Sequence, residues 1–355
     1  MAQMEQVDDD QQPGHREELA LHGQAGQPRQ ARQPRQARQP RQARQVAFAA
    51  ADGSSLVGTL QLPAGEGPHP VALLLVGSGE VDRDSDHPKM RTGVTRQLAE
   101  ALADAGIGSL RYDKRGVGAS GGSYLESTFA DARADATAAL ATLRRQPEAD
   151  RDRVLVIGHS EGALHAASLA AATPELAGVC LLAGPAVTGE EALRWQAHHI
   201  VATLPSPVRA VLRLLRQTPE RAQGKLFAKV RGTEQDVMRI QGRRINAGWM
   251  RGFLDHDPAQ DLARVEVPVL AVTGELDLQV DPEDVDRIAA LVTRARVEAH
   301  RVPSVNHLLR HSDGTGSPTE YRKQLAAQQP VDPRVLAMVT TWAAGRVAPA
   351  GVASP

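Results

Sequence analysis

The chain has 355 residues, which is enough for one large domain with an insertion or for two ordinary domains. Its formal net charge of -1 excludes a global attraction to nucleic acid or to anionic membranes, so no nucleic-acid partner is expected. The one cysteine, Cys180, excludes an internal disulfide and any cysteine-rich metal site. Because no apolar stretch reaches the ~18 residues of a membrane span and the start has no signal-peptide pattern, the sequence predicts a soluble cytoplasmic protein.

Residues 1–45 are rich in Gln, Arg, Pro and Gly. The unit Gln-Pro-Arg-Gln-Ala-Arg occurs three times in succession over residues 27–44. A segment of this composition has little to bury, so we expect a disordered tail. Its arginines recur at every third residue from Arg29 to Arg44, which would line one edge of a polyproline helix and suit an anionic partner. A repeat expansion without function fits the same pattern, and we assign the tail no function.

Folded structure is predicted from Val46 onward, where 46–51 and 56–62 flank Asp52-Gly53, a pair typical of a tight hairpin turn. Short apolar runs then alternate with segments of helical periodicity. The expected strands are 71–76, 107–110, 154–157 and 179–183, and the expected helices are 92–105 and 131–145. Strands that are apolar on both faces and alternate with helices predict an α/β protein with a mostly parallel sheet covered on both faces.

The alternation of strands and helices stops after Gly184-Pro185, where a long segment shows helical spacing and no strand-like run. We interpret this segment as a helical cap inserted in the domain. Strand patterns and a closing helix return at 267–273, 296–302 and 333–344, and Pro333 suits a first helical turn. The predicted organisation is a tail at 1–45, a core at 46–186 and 262–345, a cap at 187–261 and a flexible C-terminus at 346–355.

The sequence Gly158-His159-Ser160-Glu161-Gly162 is a G-x-S-x-G motif that directly follows an expected strand and precedes an alanine-rich helix. A sharp turn between strand and helix forces the serine into strained dihedral angles, and glycines two residues to either side leave room for neighbouring backbone. The turn exposes the Ser160 hydroxyl at the start of a helix, where the dipole favours a developing anion. We therefore predict that Ser160 is a nucleophile.

A serine nucleophile needs a base and an orienting carboxylate, and in sites of this type they follow in the order serine, acid, histidine. Asp277 comes after the expected strand 267–273, and His307 comes after the strand 296–302. Both positions lie at the carboxyl ends of strands, where α/β sites form. From the residues alone the alternatives stay open: Glu275 or Asp281 for the acid, and His311 for the base.

An oxyanion hole requires two backbone amide donors close to the serine. Glu161, the residue after Ser160, supplies the first, and the loop Val76-Gly77-Ser78-Gly79 is expected to supply the second from the amide of Ser78. A glycine turn with a purely structural role is the alternative for that loop. The 12 histidines include no pair with convincing zinc-ligand spacing plus a third ligand, so no metal is expected.

Several motifs in this order resemble the α/β-hydrolase superfamily over nearly all of residues 46–345. They are Gly77-Ser78-Gly79 with Asp82-Arg83-Asp84, the run Arg111-Tyr112-Asp113-Lys114-Arg115-Gly116-Val117-Gly118-Ala119-Ser120, the G-x-S-x-G motif, and Asn306-His307-Leu308. These motifs are similar to those of bacterial carboxylesterases near the dienelactone-hydrolase and acyl-peptidase branch of the superfamily. The resemblance implies the α/β-hydrolase fold and a triad of Ser160, Asp277 and His307, and it favours His307 over His311.

The resulting hypothesis is a cofactor-free serine hydrolase that cleaves a small-molecule carboxylic ester through an acyl-enzyme on Ser160. A peptidase, thioesterase or lactone hydrolase would use the same residues, and a binding protein that keeps the fold without turnover is the alternative from another class. Large side chains of the cap are candidates for lining an apolar acyl pocket, although packing onto the core explains them equally well: Trp195, Phe227, Trp249, Met250 and Phe253.

Overall fold

The computed structural model describes residues 42–203, 206–207, 219–314 and 316–348. Its strands are β1 (Gln42–Ala49), β2 (Ser55–Leu62), β3 (His69–Leu75), β4 (Asp86–His87), β5 (Met90–Arg91), β6 (Gly108–Tyr112), β7 (Ala149–His159), β8 (Gly178–Leu182), β9 (Val237–Ile240), β10 (Arg243–Asn246), β11 (Val269–Gly274) and β12 (Val297–Val302). Its helices are α1 (Val94–Asp104), α2 (Phe129–Arg144), α3 (Glu161–Ala172), α4 (Gly189–Ala202), α5 (Pro219–Arg231), α6 (Ala247–Asp255), α7 (Pro258–Leu262), α8 (Asp284–Leu291), α9 (Pro318–Ala326) and α10 (Pro333–Val347). Among these described helices, none combines the length and apolar character needed to cross a membrane.

Eight of the described strands form one sheet, in the order β1-β2-β6-β3-β7-β8-β11-β12. β2 pairs antiparallel with β1 and β6, whereas the other neighbours pair in parallel. Strands and helices alternate from β6 through α2, β7 and α3 to β8, which is the arrangement that parallel neighbours require. The predicted mostly parallel sheet is therefore confirmed.

Alternate side chains of the central strands enter two separate apolar cores. In β3, Val71, Leu73 and Leu75 pack with α2, α3 and α8, while Ala72 and Leu74 pack with α1 and α10 on the opposite face. Successive side chains of a strand point to opposite faces, so a strand covered on both sides must be apolar throughout. This explains why the central strands show continuous apolar runs in the sequence.

The boundaries at both ends of the folded part differ from the predicted ones. Residues 42–45, which we assigned to the tail, belong to β1 and pair with β2, and Arg44 makes an ion pair of 2.9 Å with Glu148. Composition does not indicate this pairing, because the backbone supplies the hydrogen bonds and the side chains are exposed. α10 extends to Val347, two residues into the predicted flexible C-terminus. The prediction of disorder for residues 1–41 lies outside the described residues.

The cap contains a β-hairpin, so the prediction that it lacks strands was wrong. β9 and β10 pair antiparallel around Gln241 and Gly242, which have φ angles of 49° and 79°. Two adjacent residues with positive φ are typical of the tight turn that matches the twist of a hairpin. Four-residue strands leave too little length for an alternating pattern to appear in the sequence. Phe227, Val230 and Leu254 form a small apolar core within the cap.

Candidate active site

Ser160 occupies the sharp turn between β7 and α3. Its backbone has φ 56° and ψ −122°, a positive φ that residues with side chains rarely adopt. A Cβ atom on Gly158 would lie 2.0 Å from the carbonyl oxygen of Gly162, and one on Gly162 would lie 2.3 Å from the carbonyl oxygen of Leu75. The spacing of the G-x-S-x-G motif is therefore imposed by backbone segments that cross without room for a side chain.

His307 and Asp277 follow the last two strands of the sheet and contact each other. His307 Nδ1 donates a hydrogen bond of 2.8 Å to Asp277 Oδ2, and the two side chains are 5% and 0% exposed. Asp277 Oδ1 accepts bonds of 2.7 Å and 2.9 Å from the backbone amides of Gln279 and Val280. The carboxylate is fixed by three bonds, and a neutral His307 whose Nδ1 donates carries its lone pair on Nε2.

The alternative acids and the alternative base lie in other surroundings. His311 is half-exposed, and its Nε2 lies 2.9 Å from Asp313. Asp281 forms an ion pair of 2.9 Å with Arg287, and Glu275 is exposed. The structure thus brings Asp277, rather than either alternative acid, into contact with His307.

His159 connects the turn at Ser160 with the loop that carries His307. Its Nε2 donates a hydrogen bond of 2.9 Å to the main-chain oxygen of His307, and the two imidazole rings lie 5.1 Å apart. Burial, together with the neighbouring His307, lowers the pKa of His159 to about 4. His159 is therefore neutral at pH 7, and it positions the backbone of His307 rather than carrying charge.

The loop after β3 lies directly against Ser160. A Cβ atom on Gly77 would be 3.2 Å from the Ser160 Cβ atom, and Ser78 and Glu161 line the same cleft of about 430 Å³ as Ser160. The two residues predicted to supply oxyanion donors are therefore both adjacent to the serine. The cap covers this cleft with Trp249.

The other large cap side chains have different surroundings. Phe253 joins Trp249 in the cleft wall, and the two rings stack with centroids 5.0 Å apart. Phe227 and Met250 pack in the small core of the cap. Trp195 stacks on His199 with the ring centroids 3.9 Å apart. The cap therefore contributes both cleft lining and internal packing.

The Glu161 side chain is buried and lies at the centre of a cluster of polar contacts. Its Oε1 accepts bonds of 3.0 Å from Trp249 Nε1 and 3.2 Å from His165 Nε2, and its Oε2 lies 3.5 Å from Lys114 Nζ. Burial alone would raise the pKa of Glu161, but the charge of Lys114 and the bonds from His165 and Trp249 outweigh it and lower the pKa to about 2. Glu161 is therefore ionised at neutral pH.

Sequence reasoning missed Lys114 and His165 as members of this cluster. Weak signals for both exist. Lys114 follows β6 at the carboxyl edge of the sheet, within the run that carried the family resemblance. His165 lies four residues after Glu161 on α3, a spacing that places two side chains on the same helix face.

Two further predictions concern metals and Cys180. Within the ranges that the structure describes, no three His, Cys, Asp or Glu side chains are grouped in a way that would hold a metal ion. Cys180 is fully buried in β8, and burial raises the pKa of its thiol. A thiol that stays protonated is a poor nucleophile, so Cys180 packs as a small buried residue of the strand.

A family model described as serine aminopeptidase, S33, matches residues 90–312. This range covers more than half of the chain and contains Ser160, Asp277 and His307. The chain belongs to this family, and its fold is the α/β-hydrolase fold that the motifs predicted.

Similar proteins include several esterases. The chain is 28% identical over 297 residues to esterase EstD of Thermotoga maritima, and the alignment covers 81% of this chain and 65% of EstD, just under two thirds. Among solved structures, the Pyrococcus furiosus esterase Pf2001 has a TM-score of 0.56 at 18% identity, with 86% of this chain and 91% of that chain covered. Est1E from Butyrivibrio proteoclasticus has a TM-score of 0.55 at 16% identity, with coverage of 86% and 99%. At these identities the structural similarities show the fold.

Proposed function

We propose that the protein is a serine esterase that cleaves carboxylic esters of small molecules through an acyl-enzyme on Ser160. The observation that carries the proposal is the buried 2.8 Å bond between His307 Nδ1 and Asp277, at the edge of the sheet where Ser160 occupies its strained turn. The similarity to esterase EstD supports an ester as substrate. A cytoplasmic location and the lack of a nucleic-acid partner stay predictions.

In the proposed cycle, His307 Nε2 removes the proton of Ser160 as the serine oxygen attacks the ester carbonyl. The amides of Ser78 and Glu161 bind the oxyanion, and Asp277 stabilises the imidazolium that forms. The tetrahedral intermediate collapses with cleavage of the C–O bond, and the leaving alcohol takes the proton from His307. Water then attacks the acyl-enzyme and gives one proton to the same nitrogen. That proton passes to the Ser160 oxygen as the bond between this oxygen and the acyl carbon breaks, which releases the acid and restores Ser160.

The cleft favours an ester over a peptide with a free amino terminus. Trp249, Phe253 and Val280 give it apolar walls that suit an acyl chain. An α-ammonium group would need a carboxylate that is free to bind it. Among the described residues that line the cleft, Glu161 is the acidic one. Its Oε1 already accepts two hydrogen bonds, and its charge is balanced by Lys114, whose Nζ lies 3.5 Å from Oε2. We therefore propose ester hydrolysis, although the family description mentions an aminopeptidase.

The proposal is tested by hydrolysis of p-nitrophenyl esters from acetate to decanoate. Replacement Ser160→Ala is expected to lower kcat by about 10⁶-fold, because nucleophile and base act as a unit. A serine-reactive phosphonate should label Ser160, as located by peptide mass. The matched control is Ser168→Ala, on α3 and outside the residues that line the cleft, which should retain most of the activity. Equal rates for the wild type and Ser160→Ala, or a label on another residue, would refute the mechanism.

A further inference from the structure

Lys114 is a largely buried cation between the two segments that carry the proposed oxyanion donors. It follows β6, and its side chain is 16% exposed. Its Nζ donates a hydrogen bond of 2.7 Å to the carbonyl oxygen of Gly77 and lies 3.5 Å from Glu161 Oε2. Burial of a lysine has a desolvation cost, which these two contacts offset. Lys114 takes no part in the proton transfers of the proposed cycle.

The bond to Gly77 fixes the orientation of the peptide unit that supplies one donor. The carbonyl of Gly77 and the N–H of Ser78 belong to the same planar unit, and in a trans peptide they point in opposite directions. A cation that holds the carbonyl on one side therefore directs the N–H to the other side. The positive charge also polarises the peptide unit, which makes its N–H a stronger donor.

The second contact of Lys114 anchors the residue that supplies the other donor. The Glu161 carboxylate is held by Lys114, His165 and Trp249, so the residue whose amide faces the oxyanion is fixed through its own side chain. One ammonium group thus connects two segments that are far apart in the sequence, the loop after β3 and the first turn of α3.

We propose that Lys114 is a positioning residue that holds both oxyanion donors, the amides of Ser78 and Glu161, in their catalytic orientation. This inference rests on the proposed esterase function. Lys114 acts through Gly77 and Glu161 and does not itself touch the substrate. Loss of its charge would disorder the donors in the transition state while leaving the walls of the acyl cleft in place.

The test compares Lys114→Met, which keeps the chain length and loses the charge, with Lys114→Arg, which keeps a cationic donor. For p-nitrophenyl butyrate, Lys114→Met is expected to lower kcat by about 100-fold, the effect of losing one oxyanion donor, with KM changed by less than about 3-fold. Phosphonate labelling should slow in parallel, because its transition state develops negative charge in the same hole. Lys114→Arg should recover kcat to within about 10-fold of the wild type.

Thermal unfolding and circular dichroism show whether each variant folds. If Lys114→Met does not fold, the double variant Lys114→Met/Glu161→Gln, which leaves no unpaired buried carboxylate, is measured instead and should show the same loss of kcat. A kcat within about 3-fold of the wild type in the folded variant would overturn the inference, as would a loss confined to KM. Failure of the proposed esterase function would give a different result. The wild type itself would then hydrolyse no ester faster than Ser160→Ala does.

Discussion

Two pairs of ionisable side chains lie beyond the carboxyl ends of strands in the sheet that positions Ser160, and the two pairs differ in chemistry. Asp277 and His307 follow β11 and β12, whereas Lys114 follows β6 and Glu161 is the residue directly after Ser160. A histidine gains and loses a proton near neutral pH. Glu161, with its pKa lowered to about 2, keeps its negative charge over the whole neutral range.

The difference indicates that similar contacts serve two purposes. A pair that includes histidine can take up the serine proton and return it, while a pair of fixed charges can hold backbone donors in one orientation. If this comparison is correct, disruption of the first pair should cost far more activity than disruption of the second.

Asp277→Asn should lower kcat for p-nitrophenyl butyrate by about 10⁴-fold, because an amide in place of the carboxylate favours the wrong tautomer of His307. The expected loss exceeds that for Lys114→Met by about 100-fold. The matched control is Asp281→Asn, which removes the carboxylate that pairs with Arg287 and should change kcat only slightly. A loss of about 100-fold or less in Asp277→Asn would not exceed the loss expected for Lys114→Met and would contradict the comparison.

The acid stability of the protein should depend on His159. Its pKa is lowered to about 4 in the folded state from an ordinary value of 6.5, so the unfolded chain binds the proton first as the pH falls. The free energy of unfolding should therefore be highest above pH 6.5 and fall between pH 6.5 and 4, with a contribution of about 2 kcal/mol lost between pH 7 and 5. The pKa of Glu161 is also lowered, from 4.5 to about 2, so its stabilising contribution is present above pH 4.5 and is lost as the pH falls toward about 2.

Urea unfolding at pH 7 and pH 5 separates the pH range in which His159 changes stability from the lower range in which Glu161 does. His159→Gln keeps a donor for the main-chain oxygen of His307 but does not titrate, so this variant should lose about 2 kcal/mol less than the wild type between the two pH values. Glu161→Gln should leave that difference unchanged, because its window lies at lower pH. Equal losses in the wild type and His159→Gln would show that another group causes the acid sensitivity.

The smallest expected effect is that of replacing Trp249, the cap residue that donates a hydrogen bond to Glu161. Trp249 and Glu161 line both the cleft at Ser160 and a second pocket, which is also bordered by Tyr112 and Tyr124. Trp249→Ala should join the two spaces and raise kcat/KM for decanoate relative to acetate by about 10-fold. Trp249→Phe keeps an aromatic wall and should leave the chain-length preference nearly unchanged. An unchanged preference in both variants would show that Trp249 does not limit the acyl chain.

Much of the fold was predictable because its signals are local. Apolar runs alternating with helical segments indicated the parallel sheet, and the glycines around Ser160 follow from backbone that crosses at the turn. Asp277 and His307 were recognisable because each follows a strand that the sequence marks clearly. The structure brings these two residues together, while their catalytic roles stay predictions.

The residues that sequence reasoning missed depend on the order of strands in space. Lys114 and Glu161 meet because β6 and β7 lie on either side of β3, an order that no local pattern records. The hairpin β9–β10 was missed because its strands are short and include Arg239, Arg243 and Arg244, which gives no alternation of apolar and polar residues. Such features require the tertiary arrangement.

The backbone at Ser160 has a consequence for how the protein can evolve. A φ of 56° with ψ −122° is a conformation that glycine adopts readily and serine does not, so the position most important for the proposed chemistry is also one where the chain is strained. Selection for stability alone would favour glycine at this position, whereas the proposed chemistry requires the hydroxyl. The two apolar cores must therefore supply the reserve of stability that allows this serine to persist.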